Sequence, residues 1–300
     1  MKKILVTGAS GFIGRHTLPL LSQAGHEIHA ISLKKKKKNE PGIKWHQADL
    51  KDSSITRRLI SKIRPTHLLH FAWCAEPGKF WTDPANNEWV EASLDLIKIF
   101  HKQGGKRVVV SGSCAEYDWT NSLLVENLGL QKPFTLYGKC KQELQIKSQS
   151  FCNENDLSLC WVRVFFVYGP YENPARLVPS VVRSLLKNQH ADCSHGNQIR
   201  DLLFVEDLAS GFTSILENEI QGIVNIGSGQ GVILKDFIET IGSKIGRRDL
   251  IRFGVLPSPK DDPPKLVANI KKLTKEVGWS PKFNINKGLD QTIKWWKGVL

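Results

Sequence analysis

No stretch of the chain approaches the ~20 consecutive apolar residues that a membrane-spanning helix needs. A secretory signal is also missing. Met1-Lys2-Lys3 runs straight into strand-like residues, the apolar run breaks at Gly8, and no small-residue cleavage site follows. The six cysteines (Cys74, Cys114, Cys140, Cys152, Cys160, Cys193) show neither paired nor metal-ligand spacing. Free thiols of a cytoplasmic protein are therefore expected, with no metal site. Helix-turn-helix, zinc-finger and aromatic base-stacking motifs are absent, and low complexity is confined to Lys34 to Lys38.

What remains is ordinary for a globular chain: 300 residues, 41% hydrophobic and 24% charged. That length suffices for one large domain or two modest ones with a well-buried core. The net charge of +13 points to an anionic partner. Five of the lysines crowd into one loop, and others scatter through the C-terminal third. Without a nucleic-acid motif, that charge fits a nucleotide cofactor or nucleotide sugar, with the remainder serving solubility. Neither nucleic acid nor membrane is expected as a partner.

Strand-like runs fall at Lys3–Thr7, Glu27–Ser32, Ile43–Gln47, His67–Phe71, Arg107–Ser111 and Leu159–Val164. Helical patterns separate them at Phe12–Ala24, Ser53–Ile63, Asn86–Gln103 and Tyr137–Asn153. This alternation is the signature of βαβ units, hence an α/β fold with a Rossmann-type, doubly wound parallel sheet. Pro19 should kink the first helix or shift its register. After Tyr168-Gly169-Pro170, prolines at 170, 174, 179, 257, 259, 263, 264 and 281 break the alternation, while Ile223–Ile226 signals a return to the sheet. The expected division is a dinucleotide-binding domain over 1–165, with a return segment near 201–228. A smaller substrate lobe takes 166–200 and 229–300.

The motif Thr7-Gly8-Ala9-Ser10-Gly11-Phe12-Ile13-Gly14 follows a strand and opens a helix. A pyrophosphate held at a helix N-terminus needs bare backbone N–H groups. Gly8 permits the tight turn, Gly11 the close approach of phosphate, and Gly14 the packing of helix on strand. An acidic residue beyond the second strand would take a ribose 2′-OH, whereas a basic one takes a 2′-phosphate. Here Ala30-Ile31-Ser32 leads into lysines, with no carboxylate before Glu40. Arg15 stands directly after Gly14. NADP(H) is therefore favoured, with NAD(H) the other possibility. Only Ser32, Lys34 or Lys35 needs to touch phosphate; the other lysines fit a solvated loop. Asp49-Leu50 closes the third strand, where a carboxylate can accept from the adenine amine.

Tyr137 and Lys141 are four residues apart on an expected helix and so share one face. A neighbouring ammonium favours the phenolate, bringing Tyr137 towards the working pH for proton transfer. Ser113, in Val110-Ser111-Gly112-Ser113, offers a hydroxyl to the same substrate oxygen.

These residues resemble the extended short-chain dehydrogenase/reductase superfamily, in its nucleotide-sugar epimerase, dehydratase and reductase branch. The likeness runs over nearly the whole chain. It takes in the glycine motif, Asp49-Leu50, His70-Phe71-Ala72, Ser113 four before Tyr117, and Tyr137-x-x-x-Lys141. It continues through Val167-Tyr168-Gly169-Pro170, Gln198-Ile199-Arg200-Asp201, Asn225-Ile226-Gly227-Ser228-Gly229 and Val277-Gly278-Trp279-Ser280-Pro281. The resemblance implies catalytic Ser113, Tyr137 and Lys141, and Arg200 on the substrate's pyrophosphate. It also implies a nucleoside-diphosphate sugar as substrate and a homodimer built from two helices per subunit. The cofactor set becomes Gly8, Ser10, Gly11, Phe12, Ile13, Gly14, Arg15, Ser32, Lys34, Asp49, Leu50, Phe71, Ala72, Trp73, Tyr137 and Lys141.

Departures from the family pattern sharpen this. Cys114 and Ala115 stand where 4,6-dehydratases carry an Asp-Glu pair, so water elimination is not expected. Cys114 is one place off the cysteine of some relatives and takes no role. Glu116 replaces a usual apolar residue and is a candidate substrate contact, the alternative being a surface carboxylate. Trp89 and Phe166 replace frequent asparagines. The aromatic run from Trp73 to Trp81 follows the fourth strand and is expected to wall the sugar pocket, with Trp73, Ser113, Glu116 and Arg200 on the substrate. The expected function is an NADP(H)-dependent reductase of a nucleoside-diphosphate 4-keto-6-deoxy sugar, in the setting of polysaccharide biosynthesis. The alternatives are an NAD-dependent 4-epimerase and a non-catalytic nucleotide- or RNA-binding relative.

Overall fold

The computed structural model describes residues 1–34, 40–121, 123–126, 132–258 and 262–300. Its first half holds β1 (Lys3–Thr7), α1 (Phe12–Gln23), β2 (Glu27–Ser32), β3 (Ile43–Gln47), α2 (Ser53–Ile63) and β4 (His67–His70). Then come α3 (Ala85–Lys102), β5 (Arg107–Ser113), β6 (Leu123–Leu124), α4 (Leu136–Glu154) and β7 (Ser158–Val164). The second half adds β8 (Phe166–Tyr168), α5 (Leu177–Leu186), β9 (Ala191–Asp192), β10 (Ile199–Phe204), α6 (Val205–Glu217) and β11 (Gly222–Ile226). It closes with β12 (Gly231–Ile233), α7 (Leu234–Ile245), β13 (Ile251–Arg252), β14 (Lys265–Ala268) and α8 (Ile285–Val299).

Seven strands form one sheet in the order β11-β7-β5-β4-β1-β2-β3, with every pairing parallel. The winding reverses between β1 and β4, which opens a crevice at the strands' carboxyl ends. Strands covered on both faces need apolar residues on both. In β1, Ile4 and Val6 join Leu18 and Leu21 of α1 and Phe212 of α6; Leu5 faces Ile97 and Phe100 of α3. Asp52 starts α2 by accepting from Ser54 N and Ile55 N, the usual satisfaction of a helix's free donors.

Two details differ from the sequence reading. Pro19 sits inside an unbroken α1; the helix forgoes only the bond to the Arg15 carbonyl. β5 runs two residues past Ser111, because Gly112 and Ser113 go on pairing with Arg163 and Val164 of β7. That extension delivers Ser113 to the crevice.

After β7 the chain crosses by β8 into a second sheet, β12-β10-β14-β6, with β8 beside β10. It then re-enters the large sheet: α6 packs on α1, and β11 pairs with β7. β10 itself belongs to the second sheet, so within 201–228 the part on the large sheet is α6 and β11. The second lobe has its own core of Tyr168, Val182, Phe204, Phe237, Leu289 and Trp296. Among the described residues, no helix is long and apolar enough to cross a membrane.

Glu172, just after β8, is buried, and its Oε2 lacks a hydrogen-bond partner among the described residues. Burial pushes its carboxyl up from 4.5 to about 8, with Arg176 pulling the other way. The fold thus holds a proton that the unfolded chain releases. This contribution is complete below pH 4.5 and is lost as pH rises through about 8. Glu172→Gln should therefore lose less stability than the parent across that window. Urea midpoints measured at several pH values would show it, and equal losses would refute it.

Candidate active site

The glycine turn is built by contact distances. A Cβ on Gly8 (φ +60°) would lie 2.8 Å from Ala72 N and from the Phe71 carbonyl carbon. One on Gly14 would lie 2.5 Å from Gly8 O. Gly11 N donates to Gly8 O at 2.9 Å, and Gly11 caps α1 with no side chain, leaving the helix's first N–H groups facing the crevice. Thr7 locks this turn to β4. Its Oγ1 accepts from Ala72 N at 3.2 Å and shares a 2.7 Å bond with His70 Nδ1. His70 Nε2 reaches Ser93 Oγ at 2.9 Å, and burial pushes the ring down to about 3, so it is neutral. Sequence reasoning gave Thr7 and His70 no side-chain role, and it missed Ser93; their partners lie 63 and 23 residues apart.

At the end of β2, Ser32 Oγ stands 3.4 Å from Ser10 Oγ and accepts from Lys34 N at 3.3 Å. Arg15 Nη2 donates to Ser10 O at 2.9 Å, and its guanidinium lies 4.3 Å above the Tyr171 ring. Ile13 packs on the main core while Phe12 joins the second lobe's core. Asp49 is exposed at the end of β3 and accepts from Lys51 N at 3.0 Å; Leu50 is buried. Lys35 lies outside the described residues.

Ser113, Tyr137 and Lys141 converge. Thr135 caps α4 by accepting from Gly138 N at 3.0 Å. A Cβ on Gly138 would fall 2.1 Å from Ala115 O, so α4 lies directly on the turn that follows β5. Tyr137 hydrogen-bonds Ser113 through their side chains. Lys141 Nζ donates to Ser111 O at 3.0 Å and lies 3.8 Å over the Trp73 ring. Burial lowers Lys141 to about 7, with Glu116 opposing that shift.

The phenol does not behave as the spacing suggests. Burial pushes Tyr137 above its ordinary value; the Ser113 bond opposes the rise. Lys141 Nζ is 6.0 Å from the Tyr137 ring centroid. Desolvation therefore outweighs the ammonium. The walls are aromatic: Phe80 lies edge-on at 5.0 Å, Trp81 at 5.8 Å and Trp73 at 6.4 Å between ring centroids. Tyr137 N donates to Trp81 O at 3.2 Å. Trp73 is fixed by donating to Asn86 Oδ1 at 2.8 Å and stacks on Trp89.

Two expected substrate contacts require correction. Glu116 is fully buried and pairs with Arg163 at 2.8 Å; it is neither a surface group nor open to substrate. Arg200 is also buried. Its Nη1 donates to Ile199 O at 3.0 Å and Pro263 O at 2.8 Å, and its Nη2 pairs with Asp262. A diphosphate would have to displace Asp262 to gain a two-pronged hold. Cys114 is buried, and burial pushes its thiol up to about 12.

A helix-opening glycine turn beside a Ser–Tyr–Lys cluster defines a dinucleotide-dependent enzyme. The sequence model described as "NAD dependent epimerase/dehydratase family" matches residues 4–227, and the chain belongs to that family of NAD(P)-dependent enzymes. It is 27% identical to CDP-abequose synthase of Salmonella typhimurium, over 97% of both chains. It is 24% identical to UDP-glucuronate 4-epimerase of Thermodesulfobacterium geofontis, over 98% of this chain and 95% of the other. Its fold matches the UDP-glucose 4-epimerase of Thermotoga maritima, solved with UDP-glucose, at TM-score 0.87 and 22% identity, over 99% of each chain.

Gly138→Ala should force α4 off the Ala115 carbonyl. We expect destabilisation of roughly 1–3 kcal/mol from overpacking, and a loss of activity larger than at helix sites remote from Ser113. Thermal melts and turnover on the same preparation test this; wild-type turnover would refute the contact's importance.

Proposed function

We propose that the protein is an NADP(H)-dependent reductase of a 4-keto-6-deoxy sugar carried on a nucleoside diphosphate. The observation that carries the cofactor reading is the carboxyl end of β2. There Ser10, Ser32 and Lys34 cluster with Arg15 alongside, and β2 ends in no carboxylate. Cations at that position favour a 2′-phosphate over a free 2′-hydroxyl.

The chain's residues fit the dinucleotide. The bare turn at Gly8, Gly11 and Gly14 would hold the pyrophosphate: a Cβ at Gly8 or Gly14 would strike the backbone of Ala72 or Gly8 and open the turn, and Gly11 caps α1 with no side chain over its first N–H groups. Ser32, Lys34 and Arg15 would hold the 2′-phosphate, Asp49 and Leu50 the adenine, and Tyr137 with Lys141 the second ribose, beside Phe71, Ala72 and Trp73. When bound, the cofactor supplies hydride chemistry.

The protein's own part is proton delivery. A phenol raised by burial keeps its proton at neutral pH, which suits a donor to a ketone oxygen. Ser113 orients that oxygen. Water elimination lacks its acid and base, because Cys114 holds its proton to about 12 and Ala115 has none. The likeness to CDP-abequose synthase supports a nucleotide-sugar substrate. The family resemblance also carries a homodimer acting in the cytoplasm, for which sedimentation gives the mass.

The epimerases among the relatives favour a second reading, a 4-epimerase that retains NAD. Denaturing the purified protein and identifying any released nucleotide separates the two. The reductase should release little and consume NADPH with keto-sugar nucleotides; retained NAD with turnover unaided by added cofactor would overturn it. Ser32→Asp should shift preference towards NADH by about tenfold, or ~1.4 kcal/mol. Tyr137→Phe should lower turnover by about 10²–10⁴-fold while cofactor affinity stays within a few-fold. Unchanged turnover would end the mechanism.

A further inference from the structure

Arg15, near the start of α1, is held from both lobes. Its Nη2 donates to Ser10 O at 2.9 Å and its Nε to Gly11 O at 3.4 Å. Its guanidinium carbon lies 4.3 Å from the centre of the Tyr171 ring. The carbonyls belong to the glycine turn before α1, and the ring to the segment between β8 and α5. The remaining N–H groups of the guanidinium meet no acceptor among the described residues. This cation is therefore oriented without being paired. It stands beside Ser10, whose Oγ is 3.4 Å from Ser32 Oγ.

Tyr171 adopts a backbone that its side chain disfavours. Its φ is +67°, a region that suits glycine and asparagine and makes a bulky aromatic residue an outlier. Such a residue persists only where its surroundings over-determine it, and outliers of this kind gather at functional sites. Here it is gripped from two directions. Pro170 O accepts from His16 Nε2 of α1 at 3.0 Å, and the His16 ring meets the Tyr171 ring edge-on at 5.9 Å. From α8, Trp295 lies 4.6 Å away between ring centroids and in turn meets Trp296 of the second lobe's core at 4.7 Å. Tyr171 nevertheless stays 49% exposed, so burial offsets little of the strain. What the conformation does achieve is to lay one face of the ring against Arg15.

We propose that Tyr171 is a positioning residue for cofactor choice: its ring fixes the Arg15 guanidinium beside Ser10, so that a residue outside the dinucleotide turn sets the preference for a 2′-phosphate. The role rests on the NADP(H) reading above. A stacked guanidinium keeps its plane and presents its free N–H groups as a fork, the geometry that phosphate recognition uses. An unsupported side chain would have to be ordered on binding, and that ordering costs affinity. The turn supplies the cation, and the segment after β8 supplies the face that orients it.

Calorimetric titration of the purified protein with NADP⁺ and with NAD⁺, which differ only in the 2′-phosphate, tests this without substrate or turnover. Wild-type protein should bind NADP⁺ the more tightly. Tyr171→Leu keeps an apolar contact with Trp295 but removes the ring face. It should weaken NADP⁺ about fivefold, the size of a cation–π contact at a half-exposed site, and leave NAD⁺ within about twofold. Tyr171→Asn suits the left-handed backbone and should show the same selective loss, so the readout survives if the leucine variant does not fold. Tyr171→Phe keeps the face and should bind both nucleotides as wild type does. In an Arg15→Ala background Tyr171→Leu should cost nothing more, because the ring acts through the guanidinium. An unchanged ratio of the two affinities in Tyr171→Leu or Tyr171→Asn overturns the proposal. So does an equal loss of both nucleotides, which would mark packing of the turn rather than phosphate selection. Wild-type protein that binds the two alike would sink the NADP(H) reading and this role with it, whereas a wild-type preference that survives loss of the ring sinks the role of Tyr171 alone.

Discussion

The backbone of α4 comes closest to a glycine-only fit against the turn after β5 where Gly138 meets the Ala115 carbonyl. Any side chain at 138 would separate the two elements. Because they touch, one helix turn serves several tasks. Tyr137 reaches Ser113, and Lys141 one turn later reaches the Ser111 carbonyl at 3.0 Å. The N–H of Tyr137 lies in the helix's first turn and has no partner within the helix. It donates instead to Trp81 O, which draws the aromatic segment over the site. A single close approach therefore sets the serine, the phenol, the amine and their cover.

That cover decides the electrostatics. Burial is the leading influence on both the phenol and the amine, and it opposes ionisation of each. The phenol therefore holds its proton firmly, while the amine sits near 7 and can be neutral or charged. A shared bond with Ser113 and the field of Glu116 adjust these positions without reversing them. His70, beside the glycine turn, is held neutral by the same physics. Its role is to link Thr7 to Ser93 rather than to carry charge. Few ionised groups reach this end of the crevice, so each one that does has a large effect.

The parallel sheet was legible because its signal is local. Strands β1, β2 and β3 and helix α2 fall within the bounds their sequence patterns imply. The glycine turn and the Tyr–Lys spacing are local too. The run from Trp73 to Trp81 is aromatic in the sequence, and the structure brings Phe80, Trp81 and Trp73 against the Tyr137 ring. What the sequence hid depends on distant partners. Glu116 looked like a surface group because Arg163 lies 47 residues away, and Arg200 looked free because Asp262 lies 62 away. The raised phenol was hidden for a similar reason: spacing places an ammonium on the same face but says nothing about how dry that face is.

The late family-like segments acquire a structural role in the same way. Asp201 accepts from Ser228 N and Oγ, Gly229 N and Ala268 N, which joins β10 to the turn after β11 and to β14. Asn225 accepts from Tyr117 Oη at 2.7 Å and donates to Leu124 O at 2.9 Å. That ties β11 of the large sheet to β6 of the second sheet and to the residue four beyond Ser113. These bonds span the boundary between the lobes. The two buried residues Asp201 and Asn225 thus spend their polar atoms on joining the two sheets rather than on solvent.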